Sequence, residues 1–251
     1  MIIIKTITNI KKVKKNYALY VGDDIYIIDS YFYECFLPYN GKELKKNDLD
    51  LLSSFNEGCF YLNRVYRKLF TSSLSTYDFK KGLKIKNIDD DKIEIITKYL
   101  KKEGLLNDTS FVNHYLEIYQ INKGKKAFKT FLIKNHIHED LINKALDNFN
   151  EDKEMALILA NNYIKNKNCS TNMLKYKVQA MLVNKGFSEK TVEYVVAYLD
   201  KKDERIALNK EINKLIAKYD DYKIMAKLQA KGYRIDLIKE LLQERRKNHE
   251  N

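Results

Sequence analysis

The sequence of 251 residues contains no tryptophan, a single proline and only eight glycines. Proline and glycine disfavour helices more than any other residues, so their scarcity favours helix along most of the chain. Apolar residues make up 45% of the sequence, and 19 tyrosines and 11 phenylalanines are among them. That supply is large enough for a packed core, which argues against a disordered chain.

Cysteine is also scarce, and its pattern shows no pairing. Cys35, Cys59 and Cys169 are odd in number, far apart and outside any CxxC motif. Disulfide frameworks of secreted proteins usually have an even number of cysteines at short, regular spacings. The pattern therefore indicates free thiols in a reducing compartment, and we expect a cytoplasmic protein.

Arrangements typical of catalysis or metal binding are missing. The four histidines have no metal-ligand spacing, and the sequence has no glycine-rich phosphate loop, nucleophile elbow or zinc quartet. The acidic run Asp89–Asp91 looks like a metal-binding cluster, but the capped start of a helix explains it more simply. We therefore expect no catalytic residue, no metal and no cofactor, and a function other than that of an enzyme.

The chain lacks a long hydrophobic run. The apolar stretch in MIIIKTITNI stands at the extreme start, has no basic leader and is far shorter than the roughly 18 residues of a membrane span. We expect neither a signal peptide nor a membrane-spanning segment.

Positive charge, by contrast, is in excess. The chain has 46 Lys and Arg residues against 34 Asp and Glu residues, a formal net charge of +12. This excess points to a polyanionic partner, with nucleic acid first and an anionic membrane surface second. Because the composition is also typical of an AT-rich coding sequence, the positions of the lysines are more informative than their number.

One apolar template occurs four times, at a period of 46 to 50 residues. Its spacing fits two helices joined by a short corner. A module of this size buries too little apolar surface to fold alone, so it must stack against its neighbours. The template residues are Phe79, Leu83, Ile88 and Ile93; Phe128, Leu132, Ile137 and Ile142; Val178, Leu182, Phe187 and Val192; and Ile224, Leu228, Tyr233 and Ile238.

A corner residue precedes the third helix of each copy: Asn87, His136, Gly186 and Gly232. Helices commonly end on a residue with positive φ, where glycine is most easily accommodated and asparagine and histidine are enriched. The sequence therefore predicts positive φ at all four corners.

The first 46 residues have a different pattern. Ile2–Ile7, Tyr17–Val21 and Ile25–Asp29 are rich in β-branched residues and tyrosine, and Gly22–Asp24 forms a turn between the last two. We predict a mainly α fold of about four tandem three-helix modules in an elongated curved array, preceded by a small antiparallel β segment. The predicted domains are 1–46, 47–104, 105–150, 151–200 and 201–251.

The middle helix of each predicted module is basic, whereas the third helices carry acidic residues. Acidic residues at helix starts complement the helix dipole, so a solvated lysine face explains any single middle helix as well as a phosphate-facing one does. Four similarly charged helices favour a functional face. The candidate contact residues are Lys80, Lys81, Lys84, Lys123, Lys125, Lys126, Lys129, Lys175, Lys177, Lys185, Lys223, Lys227, Lys231 and Arg234.

The segment LKKEGLLNDTSFVNHYLE resembles the most distinctive stretch of the bacterial RecX regulatory family. The matching positions include Gly104, Leu105, Asp108 and Phe111. We expect Gly104 to end a helix, Asn107 or Asp108 to cap the next one, and Phe111 to pack into the seam between modules.

The resemblance extends over nearly the whole chain. NKGFSEKTVEYVVAYL, which contains Gly186 and Phe187, is similar to a second family signature, and the N-terminal region resembles the strand-rich leader of longer members. The family often has Gly-Pro where this chain has Gly124-Lys125, and arginine at many positions that are lysine here. Lysine does not make the bidentate contacts of arginine.

The resemblance implies a non-enzymatic modulator of the recombinase RecA. Such a protein lies along the groove of the RecA–DNA filament and alters its assembly, ATP hydrolysis and strand exchange. The implied partners are the RecA filament and single- or double-stranded DNA, with no membrane, and we expect a monomer. Two other classes stay open: a general helical-repeat nucleic-acid-binding protein, and a HEAT-like protein scaffold that does not act on RecA.

Overall fold

A computed structural model of the chain describes residues 4–200 and 203–249, with side chains up to Arg246. It is mainly helical and begins with a four-stranded antiparallel sheet, which confirms the predicted fold class. Three parts of the sequence-based predictions lie outside the described residues: the start of the strand predicted at Ile2–Ile7, Lys201 at the fourth domain boundary, and the side chain of His249.

The sheet has the strand order β3-β2-β1-β4. Its strands are β1 (Lys5–Val13), β2 (Asn16–Val21), β3 (Asp24–Asp29) and β4 (Glu43–Leu44). The turn predicted at Gly22 is confirmed, because Val21 pairs with Asp24 and Gly22 has a φ of 61°.

The helices account for most of the remaining chain. They are α1 (Ser30–Phe36), α2 (Lys46–Phe70), α3 (Thr76–Lys84), α4 (Asp90–Lys102), α5 (Asp108–Asn122), α6 (Lys125–Lys134), α7 (Glu139–Asp147), α8 (Lys153–Ile164), α9 (Thr171–Asn184), α10 (Glu189–Tyr198), α11 (Arg205–Leu215), α12 (Asp221–Ala230) and α13 (Ile235–His249).

The apolar template is the core of these helices. Every one of its residues is buried, and the two middle-helix positions of each copy are 0% exposed. Removing such side chains from water stabilises the fold by about 25 cal/mol per Å² of apolar surface. The predicted periodicity therefore identified the buried face of the middle and third helices of each repeat correctly.

In the N-terminal region, the sequence did not predict helix α1, strand β4 or the second half of strand β1. Helix α1 begins where the Asp29 carboxylate accepts a hydrogen bond of 2.8 Å from the backbone N–H of Phe32. Strand β1 continues beyond the predicted Ile7 to Val13 and pairs there with β2. The sheet packs on α2, and Phe32 stacks on Phe55 of that helix with 3.8 Å between ring centroids.

The described chain forms two compact units. One contains the described residues within Met1–Tyr115 and Leu132–Ala145, and the other contains those within Leu116–Phe131 and Leu146–Asn251. The first has a core that joins the sheet to α2, α3 and α4. The second contains one apolar cluster from α8 to α10 and another from α11 to α13.

Within the described ranges, no helix combines the length and the apolar character that crossing a membrane requires.

Candidate nucleic-acid and partner interface

The four corners have the backbone conformation that the sequence predicts. The values of φ are 58° at Asn87, 52° at His136, 80° at Gly186 and 81° at Gly232. In each corner the chain reverses after a middle helix, and the next apolar residue donates its N–H to a carbonyl of that helix. The middle helices are α3, α6, α9 and α12.

A contact that we call the repeat joint links each of the first three middle helices to the following repeat. In each joint, the first turn of the middle helix meets the next corner and a carboxylate at the start of the next repeat's first helix. In the first joint, the N–H of Thr76 donates to Asp108 at 2.8 Å. The ring of Tyr77 stacks on His136, with 3.8 Å between centroids.

The second joint is the tightest. The N–H of Gly124 donates to the carbonyl of Lys185 at 3.0 Å, and that of Lys126 donates to the carbonyl of Gly186 at 3.1 Å. A Cβ on Gly124 would lie 2.1 Å from the Gly186 carbonyl oxygen, so the backbones touch only because this residue is glycine.

The third joint uses side chains for the same purpose. The hydroxyl of Ser170 donates to the carbonyl of Lys231 at 2.6 Å, and the Asn172 amide donates to the carbonyl of Gly232 at 3.2 Å. All three joints thus satisfy backbone groups that helix ends and corners would otherwise leave without partners.

The carboxylates of the second and third joints bind the first N–H of a middle helix. Glu151 accepts from Lys125 at 3.0 Å, and Glu204 accepts from Thr171 at 2.5 Å. A negative charge at this position also complements the helix dipole. Sequence reasoning missed this role, although each repeat shows an acidic residue just before or at the start of its first helix.

Glu151 is the most fully bonded of these carboxylates. Besides the N–H of Lys125, it accepts hydrogen bonds from the N–H and hydroxyl of Ser188 and from the hydroxyl of Thr191. Burial raises the pKa of Glu151, but the hydroxyl and backbone donors outweigh burial and hold that pKa below its ordinary value. The second joint therefore contains an ionised carboxylate at neutral pH.

Glu204 is buried with fewer partners. Arg234 and Leu237 stand where Ser188 and Thr191 stand in the second joint, so the equivalent hydroxyl donors are missing. One oxygen of Glu204 has no hydrogen-bond partner among the described residues. A cleft of about 460 Å³ borders this joint, with Thr171, Glu204 and Arg234 in its lining.

The candidate lysines of α6 have exposed side chains without acidic partners. Lys125, Lys126 and Lys129 are exposed, and none forms an ion pair with a described residue. Just before them, the Lys123 ammonium lies 4.8 Å from the ring centroid of Tyr119. This short segment presents the densest unpaired positive charge among the predicted contact residues.

Helix α9 provides a second, sparser set. Lys175 is exposed and has no acidic partner among the described residues, and Lys177 and Lys185 are half-buried. The Lys177 ammonium lies 3.8 Å from the sulfur of Cys169.

Candidate residues in α3 and near α12 mostly have intramolecular partners. Lys84 pairs with Asp90 at 2.8 Å. The remaining pairs are Lys80 with Glu94, Lys223 with Asp220, Lys231 with Glu211, and Arg234 with Asp236. Lys81 and Lys227 instead lie over the rings of Tyr77 and Tyr219. The acids of neighbouring helices thus compensate part of the positive charge, although exposed pairs of this kind are weak.

The family-motif residues have structural positions. Gly104 ends α4 with a φ of 73°, and the Asn107 side chain caps α5 by accepting from Thr109 at 2.9 Å. Asp108 belongs to the first joint instead of capping α5. Leu105 is half-buried, and Phe111 is buried, with its ring 4.8 Å from that of Tyr115. In the second signature, Gly186 forms the corner and Phe187 is buried behind it.

The acidic run Asp89–Asp91 is the start of α4, with Asp89 as its N-cap residue. Over the ranges that the structure describes, no three His, Cys, Asp or Glu side chains are grouped so that they could hold a metal. The three cysteines are free, and Cys59 is buried.

Comparison with known proteins gives end-to-end matches. A protein named regulatory protein RecX from Streptococcus uberis is 26% identical over 94% of this chain and 98% of its own length. One from Staphylococcus aureus is 25% identical, over 93% of this chain and 92% of its own. No protein-family model matches the chain.

Two crystal structures are similar to parts of the chain. A structure described as regulatory protein RecX has a TM-score of 0.48 and 23% identity, and covers 76% of this chain and 98% of its own. RecX from Lactobacillus salivarius has a TM-score of 0.46 and 22% identity, and covers 60% of this chain and 97% of its own.

The relatives that match over almost the full length are named regulatory proteins, which gives the class of protein that this chain resembles. The chain belongs to the RecX family, and the match includes the N-terminal strand region.

Proposed function

We propose that the protein regulates the RecA recombinase by binding along the RecA–DNA filament and modulating its assembly, ATP hydrolysis and strand exchange. The observation that carries this proposal is the end-to-end match to proteins named regulatory protein RecX. The middle helices offer a physical means of binding a filament, because they place several lysine-bearing surfaces on one chain.

Support for the contact surface comes from charge that has no intramolecular partner. Lys125, Lys126 and Lys129 extend from the first turns of α6, whose backbone is fixed by the second joint. We propose that these lysines meet DNA phosphate or the acidic protein surface of the filament, with Lys175 as a further contact. Several weak contacts on one chain raise the overall affinity without any one strong site.

The test is DNA-dependent ATP hydrolysis by RecA from the same organism, measured while this protein is titrated at substoichiometric amounts. We expect a change in rate at a ratio well below one protein per RecA. An unchanged rate at every ratio, with competent filaments, would contradict regulation of RecA. It would leave the general nucleic-acid-binding protein and the protein scaffold, which a direct DNA-binding assay separates.

A charge-reversal variant tests the contact residues. Lys125→Glu, Lys126→Glu and Lys129→Glu together should weaken the effect on RecA about tenfold or more, since phosphate contacts dominate such affinities. The matched control reverses three exposed lysines of other helices in the same unit, Lys190, Lys210 and Lys239. An equal effect of both triple variants would mean that only net charge matters.

A further inference from the structure

The hairpin turn that joins β1 to β2 carries a cluster of positive charge that the predicted contact residues do not include. We call Lys11, Lys12, Lys14 and Lys15 the lysine tip. All four are exposed, and none forms an ion pair with a described residue. By contrast, Lys5 of the same strand pairs with Asp24 at 2.6 Å. The positive charge of the lysine tip is therefore not compensated by acidic side chains of the described residues, whereas that of Lys5 in the same strand is.

One residue of the turn is a lysine with positive φ, a backbone conformation in which glycine would be less strained. Val13 pairs with Asn16, so the turn consists of Lys14 and Lys15, and Lys14 has a φ of 56°. The next hairpin has the same two-residue length, and Gly22 occupies the corresponding position with a φ of 61°. The corner residues Asn87 and His136 have the same conformation, so positive φ at Lys14 shows local strain in the turn, and it is the exposed charge of Lys14 that supports binding.

Aromatic rings hold the first two lysines of the tip. The Lys11 ammonium lies 5.4 Å from the ring centroid of Tyr20, and the Lys12 ammonium lies 5.9 Å from that of Tyr17. Tyr17 in turn stacks on Tyr33 at 3.6 Å. Because consecutive residues of a strand point to opposite faces, the tip presents charge on both sides of the hairpin.

Protection of a sheet edge explains only part of this pattern. Strand β4 pairs with β1 at Lys5 and Thr6 alone, so the outer edge of β1 has no described strand beside it further on. Lysines on such an edge prevent pairing with other chains. That account applies to Lys11 and Lys12, but Lys14 and Lys15 lie in the turn, beyond the paired strands.

We propose that the lysine tip binds the phosphate backbones of duplex nucleic acid, as a contact separate from the lysines of the middle helices. Strand β2 also pairs with β3 along its whole length, so the lysine tip is one corner of a sheet and meets the duplex from outside its grooves. Duplex DNA carries one negative charge per about 1.7 Å of helix axis, which places several phosphates within reach of four neighbouring lysines. This proposal needs no RecA, so its test is independent of the proposed function.

The test measures binding of the full chain to a fluorescently labelled DNA duplex, and separately to one of its single strands, across a salt series. The tip variant replaces Lys11, Lys12, Lys14 and Lys15 with glutamine. The control variant replaces four other exposed lysines of the same unit with glutamine and so has the same net charge as the tip variant. These lysines are Lys46, Lys98, Lys101 and Lys102. Thermal unfolding of both variants establishes that they fold.

We expect the tip variant to bind duplex about tenfold or more weakly at low salt, with a salt slope smaller by about 0.9 for each lost phosphate contact. The control should lose much less. Equal losses in the two variants would overturn the proposal, and so would a loss that is confined to single-stranded DNA.

Lys14→Gly separates binding from the geometry of the turn. Glycine relieves the strain at positive φ, so the melting temperature should rise while the affinity for duplex falls. A higher melting temperature with unchanged affinity would show that Lys14 only forms a turn, and would overturn its part in binding.

Discussion

At the scale of single residues, Gly124 of the second joint and Gly104 at the end of α4 are glycine for different physical reasons. Gly124 does not have a positive φ, yet a Cβ there would collide with the carbonyl of Gly186. Gly104 has a φ of 73°, and a Cβ there would meet nothing within 4 Å. The first residue is glycine for space, and the second is glycine for backbone conformation.

Gly124→Ala should therefore destabilise the second unit by about 2 kcal/mol or more, because overpacked sites force the backbone to move. Gly104→Ala, as the matched control, should destabilise by about 1 kcal/mol through strain at positive φ alone. Urea unfolding followed by circular dichroism measures both. Equal destabilisation by the two substitutions would argue against a steric joint at Gly124.

At the scale of elements, each joint couples a helix start to a carboxylate from the following repeat. Glu151 receives donors from Lys125, Ser188 and Thr191, whereas Glu204 receives only the N–H of Thr171 among those described. Hydrogen bonds to a charged group contribute about 1.5–3 kcal/mol each at most. The second joint should therefore depend on its carboxylate more than the third does.

Glu151→Gln should destabilise the protein by about 1–3 kcal/mol at neutral pH, and Glu204→Gln should cost less. The folded-state pKa of Glu151 is lowered, so its contribution is present above the unfolded value of about 4.3 and is lost as pH falls through the folded pKa. Chemical unfolding at neutral pH and near pH 4 should show a smaller acid-induced loss in the Glu151 variant. The same acid-induced loss in both proteins would contradict this role.

The helices and corners show how much of the fold could be predicted from the sequence alone. Apolar spacing predicted the buried faces, and Asn87 and His136 were predicted as positive-φ corners, because both depend on residues close together in the chain. The joints were not predicted, since they connect residues such as Thr76 and Asp108 that only the tertiary fold brings together. The lysines of α3 likewise gave no sign of their acidic partners on α4.

The continuation of strand β1 beyond Ile7, and helix α1, were missed for a different reason. The lysine-rich stretch from Lys11 to Lys15 has no apolar alternation, so it did not resemble a strand, and only pairing with β2 extends it. Helix α1 is short, and its start depends on the cap that Asp29 provides.

At the scale of the whole molecule, each joint connects only successive repeats, so stability should be nearly a sum of local contributions. The apolar cluster from α8 to α10 is distinct from that of α11 to α13. A chain that ends at Asp200 should therefore keep the α8–α10 cluster folded.

That shortened chain loses the third joint, so its melting temperature should fall by several degrees while its unfolding stays cooperative. Differential scanning calorimetry and limited proteolysis measure this outcome. Loss of cooperative unfolding, or rapid cleavage within α8 to α10, would contradict a nearest-neighbour organisation.

The composition of the joints also has an evolutionary consequence. Each one uses main-chain groups and one carboxylate, together with a ring stack in the first joint and a small or short polar residue in the other two. None requires the exposed side chain of a middle-helix lysine. Substitutions on the outer faces can therefore accumulate without loosening the connections between repeats. A lineage can change what its surfaces bind while its scaffold is inherited intact, which is compatible with relatives that share about a quarter of their residues with this chain.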